Sequence, residues 1–191
     1  MAFIRTFIAF DTPPIIKNEM SALQDKLKKS NADVKWEPSD KFHATIKFLG
    51  NVDEGMLPKV ISSCESALNN LSAAEVVFQS LGCFPNNKHP RVIWIGCENS
   101  DGRLQLMKAA LDQSLLTYGF EIEDRAFHPH ITLGRVKIMG GINNLTPMLE
   151  NLTFEPRRAI INEILIMKSI LKPAGSEYSV LKTITLWKSI R

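Results

Sequence analysis

Cysteine is scarce. The chain has three, Cys64, Cys83 and Cys97, an odd count without framework spacing, which argues against a disulfide-stapled secreted fold and for a reducing compartment. No stretch approaches the ~18 apolar residues of a membrane helix. The apolar opening, broken by Arg5 and Asp11, is too short for the core of a signal peptide. A soluble, cytoplasmic protein is therefore expected, with no membrane partner. Neither sign of charge dominates: 23 basic against 20 acidic residues leave +3 at pH 7, which is weak support for a polyanionic partner. Histidine occurs four times, so chemistry that needs imidazole must draw on His43, His89, His128 and His130. No low-complexity stretch or flexible linker interrupts the chain. Its 191 residues, 45% of them hydrophobic, are enough for one body with a sizeable core.

Periodicity divides that body into an ordered series. Phe3 to Phe10 is rich in β-formers and runs into "DTPP", where Pro13 and Pro14 suit the first turn of a helix. Ile16, Met20, Leu23 and Leu27 then recur at helical spacing, and Lys28 and Lys29 suit the helix's C-terminal end. A polar link through Pro38 leads to a strand at Phe42 to Leu49. Leu57, Val60, Ile61, Cys64, Leu68 and Leu71 mark a second helix, and the strand "EVVFQSL" follows.

The same order then returns. It comprises the strand "RVIWIGC" (Arg91 to Cys97), a helical stripe from Leu104 to Tyr118, and the strand "FHPHITLGRV". A short helix around Leu145 to Leu149 and a strand at "NLTFEP" complete it. In each half the first strand begins about 40 residues before a His-x-Thr. This indicates a duplicated unit, with pseudo-repeats at roughly 1–85 and 90–158 in a single bilobal domain, 1–191. Two more strands, "AIINEILIMKS" and "YSVLKTITLW", occupy 159–191.

The repeated element carries the chemistry. In "HATIKFLG", strand alternation sends His43, Thr45 and Lys47 to one face and Phe42, Ala44, Ile46 and Phe48 to the other. A lone His-x-Thr is more often surface than site. Two copies at matched places change that balance, because a pseudo-twofold axis would set His43 and Thr45 against His130 and Thr132. Imidazole titrates near ~6.5, so one of a pair can accept a proton while the other donates one. In-line displacement at phosphorus needs such a base and acid on opposite sides. Each threonine could donate to a non-bridging phosphate oxygen, and a 2′,3′-cyclic phosphate, whose ring strain assists opening, suits a pair working without metal. Lys47 is a candidate for attracting the substrate's charge. Lys88 and Arg91 could meet phosphates but read more simply as exposed charge, and His89 reads as a loop surface residue.

Two other readings compete. His128 and His130 form His-x-His on one strand, a spacing that holds metal, and His43 could supply a third ligand of a metal-dependent phosphodiesterase. Against it, Pro129 disturbs the strand and no acidic or thiol ligand lies at good spacing. A non-catalytic module that binds RNA ends is the third reading, although binding alone would favour Arg or Lys at the matched positions.

"HATIKFLG" and "HITLGR" resemble the paired motifs of the two-histidine (2H) phosphoesterase superfamily. The closer likeness is to RNA 2′,3′-cyclic phosphodiesterases, also called 2′-5′ RNA ligases. "RTFIAFDTP", "GCFPNNKHPRVIWIG", "PHITLGR" and "MKSILKPAGSEYSVL" are similar to that family's landmarks in order, over nearly the whole chain. The resemblance implies an α+β fold: a duplicated, bilobal arrangement of two antiparallel sheets around a central cleft, with helices outside. It implies hydrolysis of 2′,3′-cyclic phosphate RNA ends, tRNA fragments among them, or of small cyclic nucleotides, to 2′-phosphates without metal or nucleotide cofactor. Reversible, ATP-independent 2′-5′ joining belongs to the same expectation. A monomer is expected separately, because the cleft is complete within one chain. Carried over by position, His43 and His130 are the acid–base pair, and Thr45 and Thr132 hold the phosphate. His130 is assigned as base and His43 as acid, and the reverse fits the sequence equally. Arg135 matches an arginine that closes the second motif; to share the face of His130 it needs a bulge near Gly134. The first motif has no matching arginine.

Overall fold

The computed structural model describes residues 2–173 and 175–187, so the last four residues of the expected C-terminal strand region lie outside it. β1 (Phe3–Asp11) leads to α1 (Pro14–Lys28), which starts at the proline pair and buries the Ile16, Met20, Leu23 and Leu27 stripe. β2 (Val34–Trp36) and a 3-10 turn at Ser39–Lys41 precede β3 (His43–Asp53), α2 (Leu57–Leu68), β4 (Ala74–Phe84) and β5 (Val92–Glu98). There follow α3 (Arg103–Leu116), β6 (His130–Val136), α4 (Ile142–Asn151), β7 (Arg157–Ile161), β8 (Glu163–Lys172) and β9 (Gly175–Thr185). No described helix is long and apolar enough to cross a membrane.

The strands form one curled antiparallel sheet in the order β7-β4-β5-β6-β3-β1-β8-β9, with β2 added on β6. The two expected sheets are thus halves of one, joined through a single residue pair, Ala44 with Ile131. Outward from that joint the order is palindromic: β3, β1, β8, β9 on one side and β6, β5, β4, β7 on the other. The lobes are not the two halves of the chain. β4, from the first half, pairs with β5, while β8 returns to pair with β1. Each lobe therefore takes a strand from the opposite half, which ties the joint together despite its one shared pair.

Besides β2, which falls where the sequence read only a polar link, three elements differ from the sequence reading. "NLTFEP" is not a strand: α4 runs to Asn151, and Phe154 enters the core from an irregular link before β7. "AIINEILIMKS" is two strands broken at Asn162, whose carbonyl instead accepts the Leu186 N–H; β7 and β8 then part to opposite lobes. β6 begins only at His130, after Pro129, which has no N–H for a ladder.

Candidate active site

β3 and β6 run antiparallel through Ala44 and Ile131, both fully buried. In the register that this pair sets, His43 lies opposite Thr132 and Thr45 opposite His130. All four flank the buried pair and turn to the other face of the sheet. The two histidines are then diagonal neighbours across the joint. The sequence reading placed the two motifs facing each other across an open gap; they lie side by side on strands that meet once.

Both strands carry a bulge just beyond the threonine. Against β1, Ala9 pairs with Thr45 but Ile8 pairs with Lys47, leaving Ile46 unpaired. Against β5, Trp94 pairs with Thr132 but Ile93 pairs with Gly134, leaving Leu133 unpaired. An extra residue reverses the alternation downstream. In β6 that turns Gly134 inward, against Val34 and Trp36, and brings Arg135 to the face of His130. In β3 it overturns the expectation for Lys47. That side chain is 1% exposed and lies under the sheet, its Nζ donating to Asp112 Oδ1 at 2.6 Å and to the Glu121 carbonyl at 2.7 Å. It cannot meet a substrate in the cleft. Phe48 takes the exposed place instead, 60% accessible, where β6 has Arg135.

The imidazoles are held alike. His43 Nδ1 donates to the Lys41 carbonyl at 2.7 Å, and His130 Nδ1 donates to the His128 carbonyl at 2.8 Å. A carbonyl can only accept, so each neutral ring carries its proton on Nδ1 and leaves Nε2 as a base. Aromatic rings fix the planes. Phe7 stacks on His43 at 5.0 Å between centroids and Tyr178 meets it edge-on at 5.1 Å, while Phe84 meets His130 edge-on at 5.1 Å. Trp94 adds a tilted contact to His130 at 6.4 Å, its ring lying where any Cβ on Gly82 would be.

Burial in these settings lowers both histidine pKa values from 6.5, against the raising effect of the backbone hydrogen bonds. The nearby charges differ. Asp11 favours a proton on His43, opposed by Lys17, whereas Arg135 and His128 both disfavour one on His130. Thr45 and Thr132 are half-buried, and among the described residues their hydroxyls have no side-chain hydrogen bond, so both are available as donors.

The metal-site alternative does not assemble. Among the described residues no three His, Cys, Asp or Glu side chains converge as a cation would require. His128 is exposed and serves His130 through its backbone carbonyl, and His89 lies exposed in its loop. The cysteines are buried and free, with Cys64 pushed up to about 12 by burial, so none is a ready nucleophile. The sequence reading missed Phe7, Tyr178, Phe84 and Trp94 as the rings that hold the imidazoles. Phe7 and Trp94 lie on strands next to the motifs, but nothing local marks Tyr178, which arrives from β9.

The profile of the family described as LigT like phosphoesterase matches residues 10–94 and again residues 95–178. A protein of Methanothermobacter thermautotrophicus named RNA 2′,3′-cyclic phosphodiesterase is 32% identical over 184 residues, covering 96% of this chain and 99% of that one. One of the same name from Thermotoga maritima is 32% identical over 178 residues, 93% of each. Among solved structures, a Thermus thermophilus protein superposes with a TM-score of 0.78 at 24% identity, covering 98% of this chain and 100% of that one. E. coli LigT complexed with 3′-AMP gives 0.76 at 21%, covering 96% and 98%. Two matches of one profile fall on the two halves that each contribute one His-x-Thr to the shared face: the chain belongs to the LigT-like phosphoesterase family.

Proposed function

We propose that this chain is a cyclic phosphodiesterase that opens RNA 2′,3′-cyclic phosphate ends to 2′-phosphates in the cytoplasm, with two histidines and no metal or nucleotide cofactor. The observation that carries the reading is the diagonal pair of imidazoles, each with Nδ1 tied to a carbonyl and Nε2 free. A phosphate between them has a base on one side and an acid on the other. Neutral His130 takes a proton from water as the water oxygen bonds to phosphorus; the bond from phosphorus to the 3′ oxygen breaks, and His43 protonates that oxygen. The charges support these roles, with Asp11 beside the acid and Arg135 beside the base. Thr45 and Thr132 donate to the non-bridging oxygens, where charge builds, and Arg135 pairs with the same group. A 5′-hydroxyl in place of water gives a 2′-5′ linkage without ATP, since the cyclic ester already stores the bond energy.

The test is an RNA oligomer ending in a 2′,3′-cyclic phosphate, incubated in EDTA, with the product's phosphate position read by NMR. A 2′-phosphate is expected. A 3′-phosphate would reverse the assignment of the leaving oxygen, and loss of turnover in EDTA with recovery on adding metal would overturn the metal-free mechanism.

The pH profile follows from the shared direction of the shifts. The active form holds one proton on the pair, so it is most abundant midway between two values that both lie below 6.5. A bell in kcat/KM with its maximum below pH 6.5 is therefore expected. Above the maximum the acid loses its proton, and below it the base gains one. A maximum above pH 7.5 would contradict this setting of the imidazoles.

A further inference from the structure

Beside the histidines lies a second hollow, of about 400 Å³, that the proposed hydrolysis does not use. Lys28 of α1, Lys35 and Trp36 of β2, Glu37, Lys41 and Gly175 at the tip of the β8–β9 hairpin form its wall. Its floor is firm, since Gln24 spends both amide donors on the Glu37 and Leu133 carbonyls, at 2.7 and 2.9 Å. Three ammonium groups thus share a cavity with one carboxylate. Lys28 is paired with Asp25 at 2.8 Å. Lys41 donates to the Ser176 carbonyl at 2.7 Å, and Lys35 packs beside Gly175, where a Cβ would come within 3.3 Å of its Nζ. Among the described residues, no carboxylate lies within ion-pair distance of Lys35 or Lys41. With Lys28 met by Asp25 and one carboxylate, Glu37, in the wall, the two remaining ammonium groups, Lys35 and Lys41, leave an excess of positive charge that an anion would join favourably.

An indole in the same wall as unpaired ammonium groups is the chemistry that recognises single-stranded nucleotides, by stacking on the base and pairing with the phosphate. The hollow adjoins the His43 side of the site through one residue. Lys41 lines it and likewise lines a neighbouring cavity of about 210 Å³ that holds His43 and Tyr178. The carbonyl of the same lysine orients His43. A strand leaving the reacting nucleotide along Lys41 would enter the basic hollow next.

We propose that this hollow is a subsite for the nucleotide upstream of the cyclic end, so that the preferred substrate is the 3′ end of single-stranded RNA and not a free cyclic mononucleotide. The proposal rests on the cleft being a cyclic phosphodiesterase, and the test keeps the two apart. Rates are compared for a short RNA oligomer ending in a 2′,3′-cyclic phosphate and for the cyclic mononucleotide of the same terminal base. The expected wild-type preference for the oligomer is about 10-fold or more in kcat/KM. Lys28→Glu/Lys35→Glu should cut that ratio by about 10-fold. It should also flatten the salt dependence of the oligomer rate, by about 0.7 in log–log slope per lysine engaged on a single strand. Lys35→Arg should keep the ratio, and Lys59→Glu, on the exposed side of α2, should leave it unchanged. Equal rates for the two substrates in the wild type, an equal loss on both in the double variant, or the same fall in ratio from Lys59→Glu would each overturn the subsite. If the wild type turns over neither substrate, the reading of the cleft fails and takes the subsite with it, an outcome recognised by silence on both substrates, whereas a silent mononucleotide beside an active oligomer supports the subsite.

Discussion

Removing either imidazole is expected to abolish most of the turnover of 2′,3′-cyclic substrates: His43→Ala and His130→Ala should each lower kcat/KM by about 10²–10⁴-fold, the range for a positioned acid or base. The double variant should lose little more than the worse single, because the pair acts as a unit. The roles can be separated. A substrate whose departing 3′ oxygen is replaced by sulfur needs little protonation on leaving, so it should recover His43→Ala far more than His130→Ala. Recovery of the opposite variant would exchange acid and base while keeping the pair. Full activity in both alanine variants would remove the histidines from the mechanism altogether. Neither substitution should unfold the chain, since the rings lie on the cleft face and the buried Ala44–Ile131 joint is untouched.

The histidines and threonines were readable because each motif is local. Two residues of strand are enough to put His43 beside Thr45, and the spacing repeats at His130 and Thr132. What local pattern could not give is where the alternation breaks. Ile46 and Leu133 are ordinary strand residues in sequence; they become bulges only because β1 and β5 pair with what lies on either side. Strict alternation therefore sent Lys47 to the cleft and Phe48 to the core, the reverse of what the register imposes. Long-range placement was equally hidden. Asn162 and Glu163 interrupt the apolar run from Ala159 to Met167, but two polar residues do not by themselves mark the end of one strand and the start of another, and no periodicity says that β4 and β8 exchange lobes. Tyr178 is remote in sequence from His43, and only the closing hairpin brings them together.

Under the sheet, Asp112 is 5% exposed between two cations. Lys47 Nζ donates to one oxygen at 2.6 Å and Lys108 Nζ to the other at 2.5 Å. Asp112→Ala would leave two buried ammonium groups facing each other, with only Glu123, 3.6 Å from Lys108 Nζ, as remaining counter-charge. Breaking a buried pair in this way costs about 3–5 kcal/mol, and at about 2–4 °C per kcal/mol for a chain of this size the melting temperature should fall by about 6–20 °C. Lys47→Met should cost less, because Asp112 keeps Lys108 and the methionine stem fills the space. The contrast also tests where Lys47 points. If it serves only to join β3 to α3, Lys47→Met at a temperature well below its transition should leave KM for cyclic phosphate substrates within about 2-fold. A 10-fold rise in KM with an unchanged melting temperature would return Lys47 to the cleft and contradict the bulge at Ile46. The same measurement on Asp112→Ala should show normal KM in the folded fraction, since that carboxylate stabilises the floor beneath Thr45 without reaching the phosphate.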